Sequence, residues 1–393
     1  MIIRLNRYSW PLVVPVGFAL AIGVLMVYSA SMALARDSYQ DSLYVIKRQL
    51  VWLVAGAIVF VLAARLDYRR WRRLARPLLL GGVTLLLLVL IPGLGRSGGG
   101  ARRWLQFGPI GLQPSELVKY ILVIFLADIL SRKQAVIHRF WEGFFPPLAV
   151  TGFLAALVLI QPDMGNAVCI LTAGWILVCL AGGSWRHLLL SSLPVLPALA
   201  WLAISKPYRL RRLIAFADPW ADARGSGYQI IQALTALGSG GWGGVGLGES
   251  RQKLLYLPAA TTDFIFAIVG EELGFIGAAL VVAAFLFLVF QGFRVAAAAE
   301  DLFGRFLAQG ITLMLGLQAF VNFAVVSSLL PTKGLPLPFI SQGGSNLLCS
   351  LLAAGVLVNI AGSISPAVST EAPPAPGWLL ALRLPFQEDK DEE

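Results

Sequence analysis

Apolar residues run along this chain in long uninterrupted blocks, separated by short polar segments rich in arginine. A helix crossing a bilayer needs about 20 such residues. On that length the pattern predicts about ten spans, over residues 10–34, 49–66, 74–92, 115–131, 145–162, 165–182, 187–205, 272–293, 304–330 and 341–364. The expected fold class is therefore an all-α polytopic membrane protein. One membrane domain covers 1–365, and 366–393 is expected to be a disordered cytoplasmic tail, rich in Pro and Ala and ending in QEDKDEE. The long polar stretch, Lys206 to Thr262, lies between the seventh and eighth spans.

Basic residues in the short loops set the orientation. Arg4 and Arg7 precede the first span, six arginines from Arg65 to Arg76 crowd the loop after the second, and Arg132, Lys133 and Arg139 follow the fourth. Arg186, Arg294 and Arg305 fall on the same side, which is cytoplasmic if both termini are. The first span has no small-residue cleavage site and reads as a retained signal anchor. Arg96, Arg102, Arg103, Lys333 and the long polar stretch then lie outside, where Lys and Arg are normally scarce. Arg209, Arg211, Arg212, Arg251 and Lys253 are retained there against that bias, which points to an anionic ligand.

Composition agrees with a membrane class: 58% of residues are hydrophobic, 13% charged, and mean hydropathy is +0.76. The net charge of +10 is accounted for by membrane anchoring and gives no reason to expect nucleic acid. Cys169, Cys179 and Cys349 lie inside spans, so no disulfide framework is expected. His138 and His187, the only histidines, fall on the cytoplasmic side, so no His/Cys zinc site is available outside.

Four outer segments carry candidate chemistry. In GGGARRWLQFGPIGLQPSELVKY (98–120), Pro114 suits a first helical position and Glu116 the first turn, but Lys119 shares its face. An ionisable pair entering a span is costly and usually faces a cavity. In QPDMGNA (161–167), Asp163 reads as a helix cap. In LPAATTDFIFAIVGEELGFIG (257–277), Asp263, Glu271 and Glu272 exceed what capping requires, and burial among cations can tune a carboxylate as a base. In LLPTKGLPLPFISQGGSNLL (329–348), Lys333, Ser341 and Ser345 can donate to an anion beside helix-breaking Pro and Gly residues. Gly241 to Gly246 matches G-x-G-x-x-G, yet it lacks the preceding strand and later acidic residue of a nucleotide site, and reads as a flexible loop.

These motifs, in this order, resemble the SEDS family (shape, elongation, division, sporulation) of bacterial membrane proteins. The likeness runs from RQLVWLVAG at Arg48 through PYRLRRLIAFADPW and GYQIIQAL to QAFVNFAVVSSLLPTKGLPLPFISQGGSN. The PTKG segment looks more like the division branch than the elongation branch. The resemblance implies polymerisation of lipid II into glycan strands at the outer face of the cytoplasmic membrane. It further implies that Asp263 is the essential aspartate, that Glu116 and Lys119 are a functional pair near it, and that a class B penicillin-binding protein and other division or elongation proteins are partners. Two departures stand out: Ala259 and Thr261 replace the Glu and His of the usual PEAHTDF, and Gln342 replaces the Tyr of SYGGSS.

A glycosyl transfer from lipid II needs a base at the acceptor 4-hydroxyl, here Asp263, and cations at the pyrophosphate. Arg102, Arg103, Arg209, Lys119 and Lys333 are the candidates, with Glu116 holding Lys119. Asp263 and the pyrophosphate can share a divalent cation, Mg or Mn, for which the chain offers no dedicated cage. The competing readings are a lipid II flippase and a non-catalytic scaffold for the penicillin-binding protein. A transporter should carry polar pairs at the midplane of repeated halves. No repeat is evident here, and the ionisable groups gather at one face.

Overall fold

A computed structural model describes residues 6–98, 101–108, 110–204, 207–254 and 256–364. The tail expected over 366–393 lies outside the described residues. Twelve α-helices are present among them: α1 (Trp10–Tyr39), α2 (Tyr44–Arg65), α3 (Arg69–Leu90), α4 (Pro114–Lys133), α5 (Phe145–Ile160), α6 (Met164–Leu180), α7 (Trp185–Ile204), α8 (Pro207–Ala217), α9 (Tyr228–Ser239), α10 (Ile265–Ala298), α11 (Leu302–Val326) and α12 (Gly344–Ser363). Every expected span falls on one of these helices. By length and composition, however, seven helices among the described residues are apolar enough to cross a bilayer, so the count of ten is not reproduced on that criterion. Two of the other three have physical reasons: α6 is apolar but has only 17 residues, and α4 carries Glu116, Lys119 and Asp128 within its length. The chain is a multi-pass membrane protein.

Helix α4 is the axis of the bundle. Fourteen of its 20 residues are buried, which requires neighbours on all sides, and these are α3, α6, α11 and α12. Helices α2 and α12 approach so closely that a Cβ at Gly355 would lie 2.5 Å from the Phe60 carbonyl. Such small-residue contacts let packing, rather than the hydrophobic effect, hold helices together in lipid.

The long polar stretch is not a plain loop. It contains α8 and α9, and its glycine-rich part fills a break in α10. Gly274 adopts φ 67°, ψ −168°, which interrupts that helix. Val245 and Gly246 donate their N–H groups to the freed carbonyls of Glu271 and Glu272 (3.0 and 3.2 Å). Phe275 and Ile276 in turn donate to the carbonyls of Gly241 and Trp242 (2.8 and 3.2 Å). A broken helix at membrane depth must have its backbone satisfied this way. A side chain at 274 would meet Gly244 N at 2.3 Å, so the apparent nucleotide motif is a backbone plug.

The all-α polytopic class holds, with one small addition: β1 (Gly95–Gly98), β2 (Ala101–Phe107) and β3 (Ile110–Leu112) form an antiparallel sheet in the order β1-β2-β3. Two sequence expectations are corrected here. Glu271 and Glu272 do not open the eighth span, since α10 begins at Ile265 and both are buried within it. Nor does Lys253 face outward: it is buried, with Nζ 2.9 Å from Glu272 and 3.0 Å from Ser29 Oγ. Glu271 accepts from Ser250 Oγ (2.5 Å) and from the Arg251 N–H (3.0 Å). These charges clamp the outer segment onto α1 and α10, because a buried ion must find a partner.

Candidate functional site

The two outer aspartates have opposite fates. Asp163 caps α6, accepting from the Asn166 N–H at 3.4 Å, and also receives Ser115 Oγ (2.9 Å), Gln113 Nε2 (3.0 Å) and Asn166 Nδ2 (2.9 Å). It is a fully engaged structural group that fixes the start of α4 against α6. Asp263 does not cap α10, whose N-cap is Phe264. Among the described residues no hydrogen-bond donor meets its carboxylate. Burial pushes the Asp263 carboxyl up to about 6, against the pull of Arg212 and then Arg103, with Asp163 adding a smaller upward push.

The backbone around Asp263 is pinned from three directions. Asn322 Nδ2 donates to the Asp263 carbonyl (2.8 Å), Ser341 Oγ to the Thr262 carbonyl (2.6 Å) and Gln342 N–H to the Thr261 carbonyl (2.9 Å). The carboxylate lies against Gly334, where a Cβ would be 2.9 Å from Oδ2. The segment Pro331–Gly334 is therefore folded over the aspartate, and Arg212 Nη1 donates to the Thr332 carbonyl at 3.0 Å. Two of the departures sit in this pinned turn. Ala259 holds φ 58°, in the left-handed region, and its carbonyl accepts from the Thr262 and Phe264 N–H groups; Thr261 is buried.

The candidate cations divide by environment. Arg103 on β2 donates to the carbonyls of Gln161 and Pro162, which sets its guanidinium at the turn before α6 and within electrostatic reach of Asp263. Arg102, the next residue along the strand, is exposed. Lys333 is half-buried, and burial lowers its pKa. It lines a cavity of about 110 Å³ with Gly165, Cys169 and Leu335. The backbone of Arg209 belongs to α8, and its side chain lies outside the described residues.

Lys119 departs from its expected place at the substrate. It is 0% exposed and Glu116 1%, so neither opens onto the outer surface. Lys119 Nζ sits 3.0 Å from Glu116 Oε2 and 2.8 Å from Gln318 Oε1. Gln318 Nε2 continues to the Pro336 carbonyl and to Asn346 Oδ1, both at 2.8 Å. Ser341 and Ser345 are likewise engaged within the protein. Ser341 accepts from the Leu337 N–H at 2.8 Å; Ser345 accepts from the Gln113 N–H at 3.0 Å and donates to the Gly111 carbonyl at 3.2 Å. Both hydroxyls therefore hold loops in place. Gln318, Asn322 and Asn346 were not singled out from the sequence. The available signal was a pair of amides four residues apart inside an apolar span, where polar groups are expensive.

Among the described residues no group of three or more His, Cys, Asp or Glu is placed to hold a metal ion. Asp263, with no hydrogen-bond donor among the described residues and within electrostatic reach of Arg212 and Arg103, is a carboxylate of the kind that can share a cation with substrate phosphates.

A family model for cell cycle proteins, spanning FtsW, RodA and SpoVE, matches residues 11–365. The chain is 45% identical to a probable peptidoglycan glycosyltransferase FtsW of Geobacter sp. (strain M18), over 91% of this chain and 97% of the relative. It is 42% identical to stage V sporulation protein E of Bacillus subtilis, over 87% of this chain and 93% of the relative. Among solved structures it is similar to a chain from work on how a peptidoglycan synthase complex coordinates polymerization and crosslinking, with TM-score 0.74, 32% identity and coverage of 91% and 98%. It is also similar to the rod shape determining protein RodA of Thermus thermophilus, with TM-score 0.67, 31% identity and coverage of 90% and 97%. With several relatives named FtsW at 40–45% identity, the division-type likeness read from PTKG holds. The chain thus belongs to the FtsW, RodA and SpoVE family that its ordered motifs resemble, and is FtsW-like within it.

Proposed function

We propose that the protein is a peptidoglycan glycosyltransferase that polymerises lipid II at the outer face of the cytoplasmic membrane during cell division. The observation that carries this reading is the Asp263 carboxylate: met by no hydrogen-bond donor among the described residues, with its pKa raised to about 6, and within electrostatic reach of Arg212 and Arg103. A general base works best when its pKa lies near the operating pH. Asp263 takes the proton of the acceptor 4-hydroxyl as that oxygen bonds to the donor's anomeric carbon. The bond from that carbon to the pyrophosphate breaks, and the lipid pyrophosphate leaves. Charge grows on the pyrophosphate in the transition state, where prepositioned guanidinium groups stabilise it most. Arg103 and Arg212, which act on Asp263 electrostatically, are the leading candidates for this role, with Arg102, Arg209 and Lys333 as further candidates. A divalent cation, Mg or Mn, would be held by Asp263 together with the substrate, supplying further charge neutralisation. Glu116, Lys119, Ser341 and Ser345 support the site from inside the fold. A class B penicillin-binding protein is the proposed partner, which fits the likeness to a chain of a peptidoglycan synthase complex.

The test is direct. Purified protein in detergent, given lipid II, a divalent cation and where required the transpeptidase partner, should make glycan strands. The rate as kcat/KM should rise with pH through about 6 and level off above it, because the base must be ionised. No strands under any partner condition, with Asp263-dependent lipid II crossing in vesicles, would establish the flippase instead.

The proposed orientation has its own check. In a chain whose native cysteines are replaced by alanine, Ser226→Cys should react with an impermeant thiol reagent in spheroplasts, and Ser131→Cys should not. The reverse pattern inverts the topology and puts the site on the wrong face for extracytoplasmic lipid II.

A further inference from the structure

Helix α11 carries two amides one turn apart, Gln318 and Asn322, that are 0% and 1% exposed. Residues at this spacing share a helix face. The proposed chemistry gives neither a task, yet burying an amide is costly unless its hydrogen bonds are made. Their partners are specific. Gln318 accepts from Lys119 and donates to the Pro336 carbonyl, while Asn322 Nδ2 donates both to the Asp263 carbonyl and to the Leu335 carbonyl, each at 2.8 Å. A single face of α11 thus holds the two backbone segments between which the Asp263 carboxylate lies, one at 263 itself and one immediately after Gly334. The buried Glu116–Lys119 pair is attached to the other end of that face.

We propose that Gln318 and Asn322 are positioning residues for Asp263, and that the Glu116–Lys119 pair acts on the reaction through them without touching substrate. The inference rests on reading Asp263 as the base. In it, Lys119 orients the Gln318 amide, whose N–H group is then aimed at Pro336 and Asn346. Asn322 sets the separation of residue 263 from the 334–335 backbone, and so the direction of the carboxylate relative to Arg103 and Arg212. A displacement of about 1 Å at a reacting group can cost roughly 10²-fold in rate.

The experiment compares lipid II polymerisation by full-length Asn322→Ala, Gln318→Glu and Gly334→Ala variants, with kcat, KM and the pH profile of kcat/KM. Gln318→Glu keeps the acceptor for Lys119 but cannot donate to Pro336 or Asn346. Each relay variant should lose kcat by about 10–10²-fold with little change in KM. The acid limb should move to higher pH, because a carboxylate turned away from Arg212 and Arg103 loses the charges that favour its ionised form. Gly334→Ala displaces the carboxylate directly and should give the same signature while leaving the relay intact. Should Asn322→Ala fail to fold, Gln318→Glu carries the test. If Gly334→Ala gives the signature but the relay variants keep wild-type kcat, or lose kcat with an unmoved acid limb, the positioning role is overturned. If Asp263→Asn itself retains activity, the base reading fails first and the two failures are distinguishable.

Discussion

Asp263→Asn should cut lipid II polymerisation by about 10²–10⁴-fold, the usual contribution of a general base, while leaving the protein folded and inserted. The change is isosteric and removes no cap, since α10 is not capped by this side chain. It should also leave the melting temperature at pH 7 or above unchanged or slightly raised. The sign follows from linkage: a carboxyl whose folded pKa lies near 6, above its ordinary value of 3.8, favours folding when protonated and loses that advantage as pH rises through about 6. A neutral amide is spared the cost of burying a charge. Activity and stability thus move in opposite directions, as expected where a site holds a group in an unfavourable environment for its chemistry. Melting curves beside glycan-strand yields check both halves. A well-folded Asp263→Asn protein with wild-type yield would remove Asp263 from the base role.

Single replacement of Lys119 or Glu116 should have the other large effect, now on folding as well as on rate. With exposures of 0% and 1% the pair is sealed between α4, α11 and α12, and removing one member leaves the other charge buried without compensation. Breaking a buried pair typically costs about 3–5 kcal/mol. Lys119→Met and Glu116→Gln should each lower the melting temperature, and each should depress polymerisation beyond what the loss of folded protein explains. The double variant should recover much of the stability, because two neutral side chains need no mutual neutralisation. Its activity is the informative quantity. If the pair acts through Gln318, the refolded double variant stays slow; full activity would show that the ions serve the fold alone.

Much of the membrane architecture was legible along the chain because lipid imposes a simple code. Blocks of apolar residues of bilayer length each fell on a helix, and the outer segments carrying Arg103 and Gly334 lie close to Asp263. What misled was charge. Lys253 and Glu272, 19 residues apart, read as two outward-facing groups, and the structure makes them one buried pair. The sequence separation carried no sign of that contact. Lys119 read as a cation for substrate because an intramembrane charge is usually functional, yet the packing of α11 encloses it.

The sequence by itself determined that the chain crosses the membrane many times, and it raised the expectation of chemistry gathered at one side around Asp263. Hydropathy and loop charge act locally, so they can be read residue by residue. Tertiary structure alone decided which aspartate is engaged and which is open. Asp163 and Asp263 each stand just before a helix, and only the arrival of Ser115 and Gln113 at the first, and of Gly334 at the second, separates a cap from a candidate base. Those arrivals depend on α4, α6 and the segment after α11 being packed together. Solvation and hydrogen bonding at a buried carboxylate are properties of all its neighbours at once.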